Sequence, residues 1–177
     1  DKGRPYPDEV YYQSIPAAAA RPAAYETGKV DVLTGGAVEI FDVARLSKLP
    51  NTCVTTKGWE MTAPHAWITV NTKNGVLGNK QFRQAMMYAI DREFGRDVVW
   101  SGYGKVPTGP ISTRTKFYSA DVPKYPFDPK KAKELIKASG YKGETIKLMP
   151  IPYGETWVRW AEAVKQNLEE VRIKTEL

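Results

Sequence analysis

The chain has 177 residues, of which 42% are hydrophobic and 26% charged, and its formal net charge at pH 7 is +6. At this length about 70% of the unfolded surface is buried on folding, so one domain with an adequate core is expected. The single cysteine excludes an internal disulfide and a multi-cysteine metal site, and the single histidine leaves a zinc site or a histidine-based triad without partners. The longest apolar run, residues 17–20, is ended by Arg21, so no membrane span is predicted.

Two helices are predicted in the first third of the chain. The first is expected to begin near Arg21, with Pro22 in its first turn, because proline disfavours a helical residue before it and lacks a donor. Gly28 is expected to end this helix. A turn at residues 34–36 then leads into a second helix over residues 38–49.

Four segments of the first 72 residues have the alternation or the β-branched content of strands. In the fourth of them, Trp67 and Asn71 share one face, and the apolar residues of the other face are expected to point inward. Cys53 lies in the third and is predicted to be a buried, unreactive thiol. The predicted strands are residues 9–15, 29–33, 51–59 and 65–72.

A long amphipathic helix is predicted between Asn79, a favourable N-cap, and Gly102, a favourable stop. Apolar residues recur along it with the spacing of one helical face, which indicates packing on a core. The helix would span about 33 Å. Its apolar residues are Phe82, Ala85, Met86, Ala89, Ile90, Phe94 and Val98.

The last third alternates strands and helices. Asp128 and Pro129 provide an N-cap and a first-turn proline for a helix that Gly140 ends. Residues 110–127, with three prolines, form a long irregular segment, which is typical of surface or functional loops. Strands alternating with helices at this spacing predict an α/β fold with a mixed, mostly parallel sheet and helices on both faces. The remaining predicted elements are a strand over 145–151, a helix over 156–170 and a strand over 172–177.

The long helix and the strand before it carry a recognisable motif. Asn71-Thr72, followed after a turn by Phe82-Arg-Gln-Ala-Met, Tyr88-Ala-Ile-Asp-Arg-Glu93, resembles the signature of periplasmic solute-binding proteins of the peptide/nickel type, family 5. The segments 20–32 and 128–141 resemble the same family. The motif identifies the family, and its polar residues are interpreted as solvating and capping a scaffold helix.

This resemblance implies the fold and the role of the protein. It implies that residues 1–177 form a single α/β lobe of a type II periplasmic-binding-protein fold, without the partner lobe and the return segment. The implied role is extracytoplasmic, either periplasmic or lipid-anchored at the outer face of the membrane, as the non-catalytic substrate-binding component of an ABC importer. The implied partners are a peptide or other small-molecule ligand, the membrane permease and the remaining lobe, with the protein a monomer and no cofactor or metal. The ligand itself stays open between peptides, nickel complexes, opines and sugars.

The ligand is expected beyond the carboxyl ends of the strands, as in open α/β sheets generally. The strand over 145–151 leads into Tyr153, Gly154, Glu155 and Trp157, just before a helix N-terminus that favours anionic groups. In the family this segment faces the cleft, and the Gly-Pro-Ile stretch runs beside it. The alternative is that Trp157 belongs to the core and Tyr153 covers a turn. The further candidates are Trp67, Asn71, Gly109 and Ile111, with Pro110 and Ser112 in the same loop.

An enzyme and a nucleic-acid- or anion-binding module are the two other functional classes compatible with a chain of this size. An enzyme would need a nucleophile with its base, paired carboxylates or a cofactor turn, and the sequence offers none of these. The glycines and lysine of residues 102–109 superficially resemble a nucleotide-binding loop, but they follow a helix instead of a strand. A basic anion- or nucleic-acid-binding module is compatible with the net charge, although the basic residues are scattered along the chain.

Overall fold

The computed structural model describes Gly3, residues 6–58 and residues 65–177. The chain divides into two compact units with the boundary between Thr52 and Cys53. In the described part, regular structure consists mainly of helices, and one short parallel sheet lies in the second unit.

The first unit contains helices α1, Ala20–Glu26, and α2, Ile40–Leu46. Pro22 lies in the first turn of α1 and Gly28 follows the helix with φ of 70°, as the sequence predicts. Helix α2 is shorter at both ends than the predicted segment 38–49. The side chain of Arg21 anchors α1 by donating to the carbonyls of Ala37 at 2.7 Å and Ile15 at 3.2 Å.

The predicted long helix is broken into pieces. Asn79 is its N-cap, as expected, and accepts hydrogen bonds from the backbone N–H groups of Gln81 and Phe82. Regular helix nevertheless ends at Ala89, because Ile90 is extended with ψ of 117°. Asp91 then caps a new short helix by accepting from the Phe94 N–H at 2.9 Å. The resulting pieces are α3, Lys80–Ala89, α4, Arg92–Phe94, and a π-helical turn, Gly95–Val99.

The break has a physical cause in both local and tertiary contacts. Locally, the Asp91 carboxylate competes as a cap with continuation of the helix. Asn167, far along the chain, accepts a hydrogen bond from the Asp91 N–H at 2.9 Å, so this donor is satisfied outside the helix. The prediction of one continuous apolar stripe was therefore wrong beyond the break, where Phe94 and Val98 are 44% and 60% exposed.

The second unit is completed by α5, Pro129–Ser139, β1, Ile146–Lys147, α6, Glu155–Glu170, and β2, Thr175–Glu176. Asp128 caps α5 through the Lys131 N–H, and Gly140 ends it with φ of 75°, so both predicted boundaries are confirmed. Strands β1 and β2 pair in parallel, Ile146 opposite Thr175 and Lys147 opposite Glu176, with α6 as the crossover. Helices α3, α5 and α6 bury one core against this sheet. Its members are Phe82, Ala85, Met86, Ala89, Ile90, Ala132, Ile136, Ile146, Val164, Leu168, Val171 and Ile173.

The four strands predicted before residue 73 were wrong as sheet strands. Among the described residues 9–15, 29–33, 51–58 and 65–72, the backbone is irregular or extended and forms no ladder, while Trp59 lies outside the described residues. The apolar face of 65–72 does not point inward, since Ile68 is 38% exposed. Cys53 is also exposed instead of buried. Alternation describes side-chain direction only; a sheet also needs a neighbouring strand to accept its hydrogen bonds.

The strands predicted over 145–151 and 172–177 are confirmed only over Ile146–Lys147 and Thr175–Glu176. The ladder ends where Leu148 donates to the Glu176 carbonyl at 2.7 Å, and Met149 beyond it is 93% exposed. The segment 110–127 is irregular, as predicted.

Candidate ligand-binding site

The loop before α6 presents an exposed aromatic ring on a sharp turn. Gly154, the N-cap of α6, has φ of 125°, a backbone conformation that favours glycine. Tyr153 donates its N–H to the Ile151 carbonyl at 2.9 Å, and its side chain is 77% exposed. The turn thus holds the Tyr153 ring at the surface, ahead of a helix N-terminus.

Glu155 is the first residue of α6, and its carboxylate has a partner on the next turn. Arg159 donates to Glu155 Oε1 from Nε at 3.0 Å and from Nη2 at 2.6 Å. Acidic groups in the first turn are favourable because of the helix dipole. A ligand cation that approached Glu155 would compete with Arg159 in this ion pair.

Trp157 belongs to a cluster of three tryptophans. The Trp100 ring meets Trp157 at a centroid distance of 5.8 Å and an angle of 83°, and meets Trp160 at 5.4 Å and 65°. Both are edge-to-face arrangements, the geometry that aromatic pairs prefer. Trp157 is therefore partly buried by packing, whereas Tyr153 is not.

Trp67 and Asn71 lie in an extended segment of the same unit. Trp67 is 67% exposed, with its ring centroid 6.1 Å from that of His65, and Asn71 Oδ1 accepts from the Lys73 N–H at 3.1 Å. Within the described part of the chain, no hydrogen bond or ring contact joins Trp67 or Asn71 to Tyr153. These predicted residues therefore share no direct contact with Tyr153 in the described part of the chain.

The Gly-Pro-Ile loop forms one wall of a small cavity of about 130 Å³. Thr108 connects its two sides through Oγ1, which donates to the Ser119 carbonyl at 3.1 Å and shares a hydrogen bond with the Tyr118 hydroxyl at 3.3 Å. Most of the lining is apolar. The lining residues are Thr108, Gly109, Pro110, Ile111, Phe117, Tyr118, Ser119 and Val122.

A second cavity, of about 190 Å³, lies on the other side of Thr108 and was not predicted from the sequence. We call it the basic pocket; it is lined by Arg92, Val106, Pro107, Thr108, Lys124, Tyr125 and Pro126. Arg92 and Lys124 are far apart in the chain, and Arg92 belongs to the motif that was interpreted as scaffold. No local sequence pattern therefore predicted that Arg92 and Lys124 line the same cavity.

Tyr125 connects the basic pocket to the core helix α3. Its hydroxyl accepts from Gln84 Nε2 at 3.3 Å, and its ring meets the Tyr88 ring edge-on at 5.3 Å. Its carbonyl accepts a hydrogen bond from Arg92 Nη2. The floor of the pocket is thus fixed to a buried helix.

Within the residues that the structure describes, no three His, Cys, Asp or Glu side chains are grouped to hold a metal ion. None of the described helices is long and apolar enough to cross a membrane.

Comparison with known protein families places the chain. Residues 1–177 match the family model described as "Bacterial extracellular solute-binding proteins, family 5 Middle". The chain belongs to this family. The resemblance inferred from the motif of residues 71–93 is therefore confirmed.

Named relatives of this family 5 chain are binding proteins. The oligopeptide-binding protein AppA of Bacillus subtilis is 33% identical over 143 residues, which cover 80% of this chain and 25% of AppA. Heme-binding protein A of Haemophilus influenzae is 29% identical over 141 residues, which cover 79% of this chain and 25% of that protein. The chain spans about a quarter of the length of these curated relatives.

Solved structures confirm the type II binding-protein fold of this family 5 chain. AgaA from A. tumefaciens R10, in complex with agropinic acid, superposes with a TM-score of 0.76 at 25% identity, covering 100% of this chain and 35% of AgaA. The periplasmic binding protein DppA from Helicobacter pylori, in complex with the peptide STSA, gives 0.75 at 25% identity, covering 93% and 31%. The predicted α/β class is confirmed, with a smaller sheet than the sequence suggested.

Proposed function

We propose that this chain is part of the substrate-binding component of an ABC importer, which captures a peptide or similar small solute and delivers it to the membrane permease. The observation that carries the proposal is the family match over all 177 residues. The names of the relatives, which bind oligopeptides and heme, support the same role. In this role the protein works outside the cytoplasm, in the periplasm or anchored to the outer face of the membrane, and catalyses no reaction.

The chain forms one lobe of a two-lobed protein in this proposal. The chain covers only 31% and 35% of two solved relatives, which supports the proposal that it works together with a further lobe of the same polypeptide. The ligand is enclosed when the two lobes close, which removes water from its polar groups. The working unit is a monomer that docks on the permease.

Within this lobe, Tyr153 is the principal ligand contact in our proposal. Its ring is exposed at the end of a βα connection, where ligands of open α/β sheets bind. The Gly109 and Ile111 loop contributes an apolar cavity wall, and Glu155 offers a carboxylate to a ligand amine at the cost of its bond to Arg159. Trp157, Trp67 and Asn71 complete the set of proposed contacts.

The test is a binding survey of the intact protein by titration calorimetry. The ligands are short peptides, glutathione, heme and agropinic acid, which are named for relatives, and a chelated nickel ion, which represents the nickel complexes that the family resemblance implies. We expect one class to bind with a dissociation constant in the micromolar range or below, about −8 kcal/mol or stronger. Small-angle scattering should show the protein contract when this ligand binds.

Two outcomes would count against the proposal. Binding without contraction would contradict enclosure between lobes. Conversion of the ligand to a product, seen by mass spectrometry after incubation, would contradict a purely binding role.

A further inference from the structure

The basic pocket carries two positive charges and no negative one. Arg92 and Lys124 both line it, and its other lining residues are neutral. A partly buried cation is normally paired with an anionic group, because removing a charge from water costs free energy. Two cations that line one cavity without an anionic partner therefore suggest a site for an anion.

Arg92 is partly buried and underused as a donor. A guanidinium has five N–H groups, and within the described part of the chain Arg92 donates one hydrogen bond, to the Tyr125 carbonyl. No carboxylate of the described residues forms an ion pair with it; the neighbouring Glu93 pairs with Arg96 instead. Burial lowers the pKa of Arg92 from its ordinary value, and the nearby charge of Glu93 offsets this only in part. A bound anion would compensate the same cost.

Lys124 supplies the second charge from the irregular segment that precedes α5. It is exposed, and within the described residues its ammonium makes no ion pair or hydrogen bond. The ammonium is therefore available to a ligand without breaking an existing contact. The pocket combines one forked donor, suited to two oxygens of an anion, with one mobile point charge.

We propose that the basic pocket binds an anionic group, a carboxylate or a phosphate, attached to a small apolar body. Arg92 and Lys124 hold the anion, and Val106, Pro107 and Pro126 cover the adjoining carbon atoms. The inference goes beyond the proposed function, because none of the residues predicted to contact the transported ligand lines this pocket.

The test uses the intact protein and three probes followed by NMR at constant ionic strength. The probes are N-acetylleucine, its neutral amide N-acetylleucinamide, and inorganic phosphate. We expect saturable shifts of the backbone amides of Thr108, Lys124 and Tyr125 with N-acetylleucine, and none with the amide. Relative affinities of N-acetylleucine and phosphate distinguish a carboxylate with an apolar body from a phosphate as the preferred anion.

Variants separate this pocket from the general positive charge of the protein. Lys124→Gln should weaken anion binding by about twofold to fivefold, as expected for loss of one exposed charge pair. Lys130→Gln removes an exposed lysine that does not line the pocket and should leave the affinity unchanged. Arg92→Gln should weaken binding by about tenfold or more, as loss of a charge-assisted hydrogen bond predicts.

Because Arg92 also binds the Tyr125 carbonyl, Arg92→Gln can lose its fold, and Lys124→Gln then decides the question. Equal losses in Lys124→Gln and Lys130→Gln would overturn the proposal in favour of nonspecific attraction. Equal binding of acid and amide, or no saturable shift with either anion at high millimolar concentration, would also overturn it.

Discussion

A Cβ atom added to Gly95 would lie 2.4 Å from Cζ3 of Trp160. Gly95 begins the π-helical turn and is buried, so the ring of Trp160 rests directly on the backbone of this turn. The close approach also seats Trp160 against Trp100, which in turn holds Trp157 at the start of α6. Because Gly95 has no side chain, the three tryptophans can pack together, and this cluster includes the proposed contact Trp157.

Replacing this glycine should destabilise the protein. Gly95→Ala forces the Trp160 ring to shift, and overpacking of this kind costs about 1–3 kcal/mol of unfolding free energy. Urea unfolding followed by tryptophan fluorescence measures the loss. Gly109→Ala is the matched control, since its added Cβ would meet no atom within 4 Å and its φ is not positive.

A double variant tests the cause of the loss. Trp160→Leu in the Gly95→Ala background should recover part of the stability relative to the sum of the two single changes. Strict additivity would show that the effect of Gly95→Ala comes from the turn itself and not from Trp160.

Asn79→Ala should lower the unfolding free energy by about 1–2 kcal/mol. Asn79 accepts the N–H groups of Gln81 and Phe82, and its Nδ2 donates to the Ser139 carbonyl of α5 at 3.1 Å. The residue therefore caps α3 and connects it to α5. Chemical denaturation is the measurement, and Asn74→Ala, an exposed asparagine in the preceding loop, should have little effect.

Asn79→Asp separates the two roles, because aspartate keeps the cap and loses the donor to Ser139. We expect a loss of stability between those of wild type and Asn79→Ala. If Asn79→Asp matches Asn79→Ala, the cap contributes nothing and the connection to α5 carries the whole effect.

Thr175→Val should be neutral or should stabilise the protein by about 1 kcal/mol. Thr175 Oγ1 is buried and has no hydrogen-bond partner among the described residues. An unsatisfied buried hydroxyl costs free energy, and valine has the same shape and suits a strand. The midpoint of urea unfolding should stay the same or rise.

The opposite sign is expected at Thr27, whose hydroxyl donates to the Ala23 carbonyl at 2.9 Å. Thr27→Val should cost about 0.5–1 kcal/mol. A clear loss of stability in Thr175→Val would mean that its hydroxyl has a partner in solution, such as a bound water.

Tyr153→Ala in the intact protein should weaken binding of the transported ligand by about 1–3 kcal/mol, the range for removal of a contacting aromatic ring. Its melting temperature should hardly change, since the ring is 77% exposed. Calorimetry and thermal unfolding measure the two quantities. Tyr12→Ala, which removes a 92% exposed tyrosine outside the proposed site, is the control; unchanged affinity in Tyr153→Ala would remove Tyr153 from the site.

Local signals in the sequence predicted some helix ends but not all of them, since α3 ends at Ala89 and not at the predicted stop, Gly102. Asn79, Asp128 and Gly140 act where expected, because capping depends on the side chain or backbone freedom of one residue and on N–H groups within three positions of it. The family was also evident from sequence, since residues 71–93 keep its motif. Glycine and proline also predicted the irregular backbone at Tyr153 and in the loop from Gly109 to Ile111, because their effect on the backbone is local.

Tertiary structure decided what depended on distant partners. The helix after Asn79 breaks at Ile90 partly because Asn167, far along the chain, takes up the Asp91 N–H. The extended segments before residue 73 alternate like strands, but pairing requires a neighbour that alternation does not specify. The basic pocket required Arg92 and Lys124 to line one cavity, and their segments are brought together by the packing of Tyr125 on α3 and by the hydrogen bond from Arg92 to the Tyr125 carbonyl.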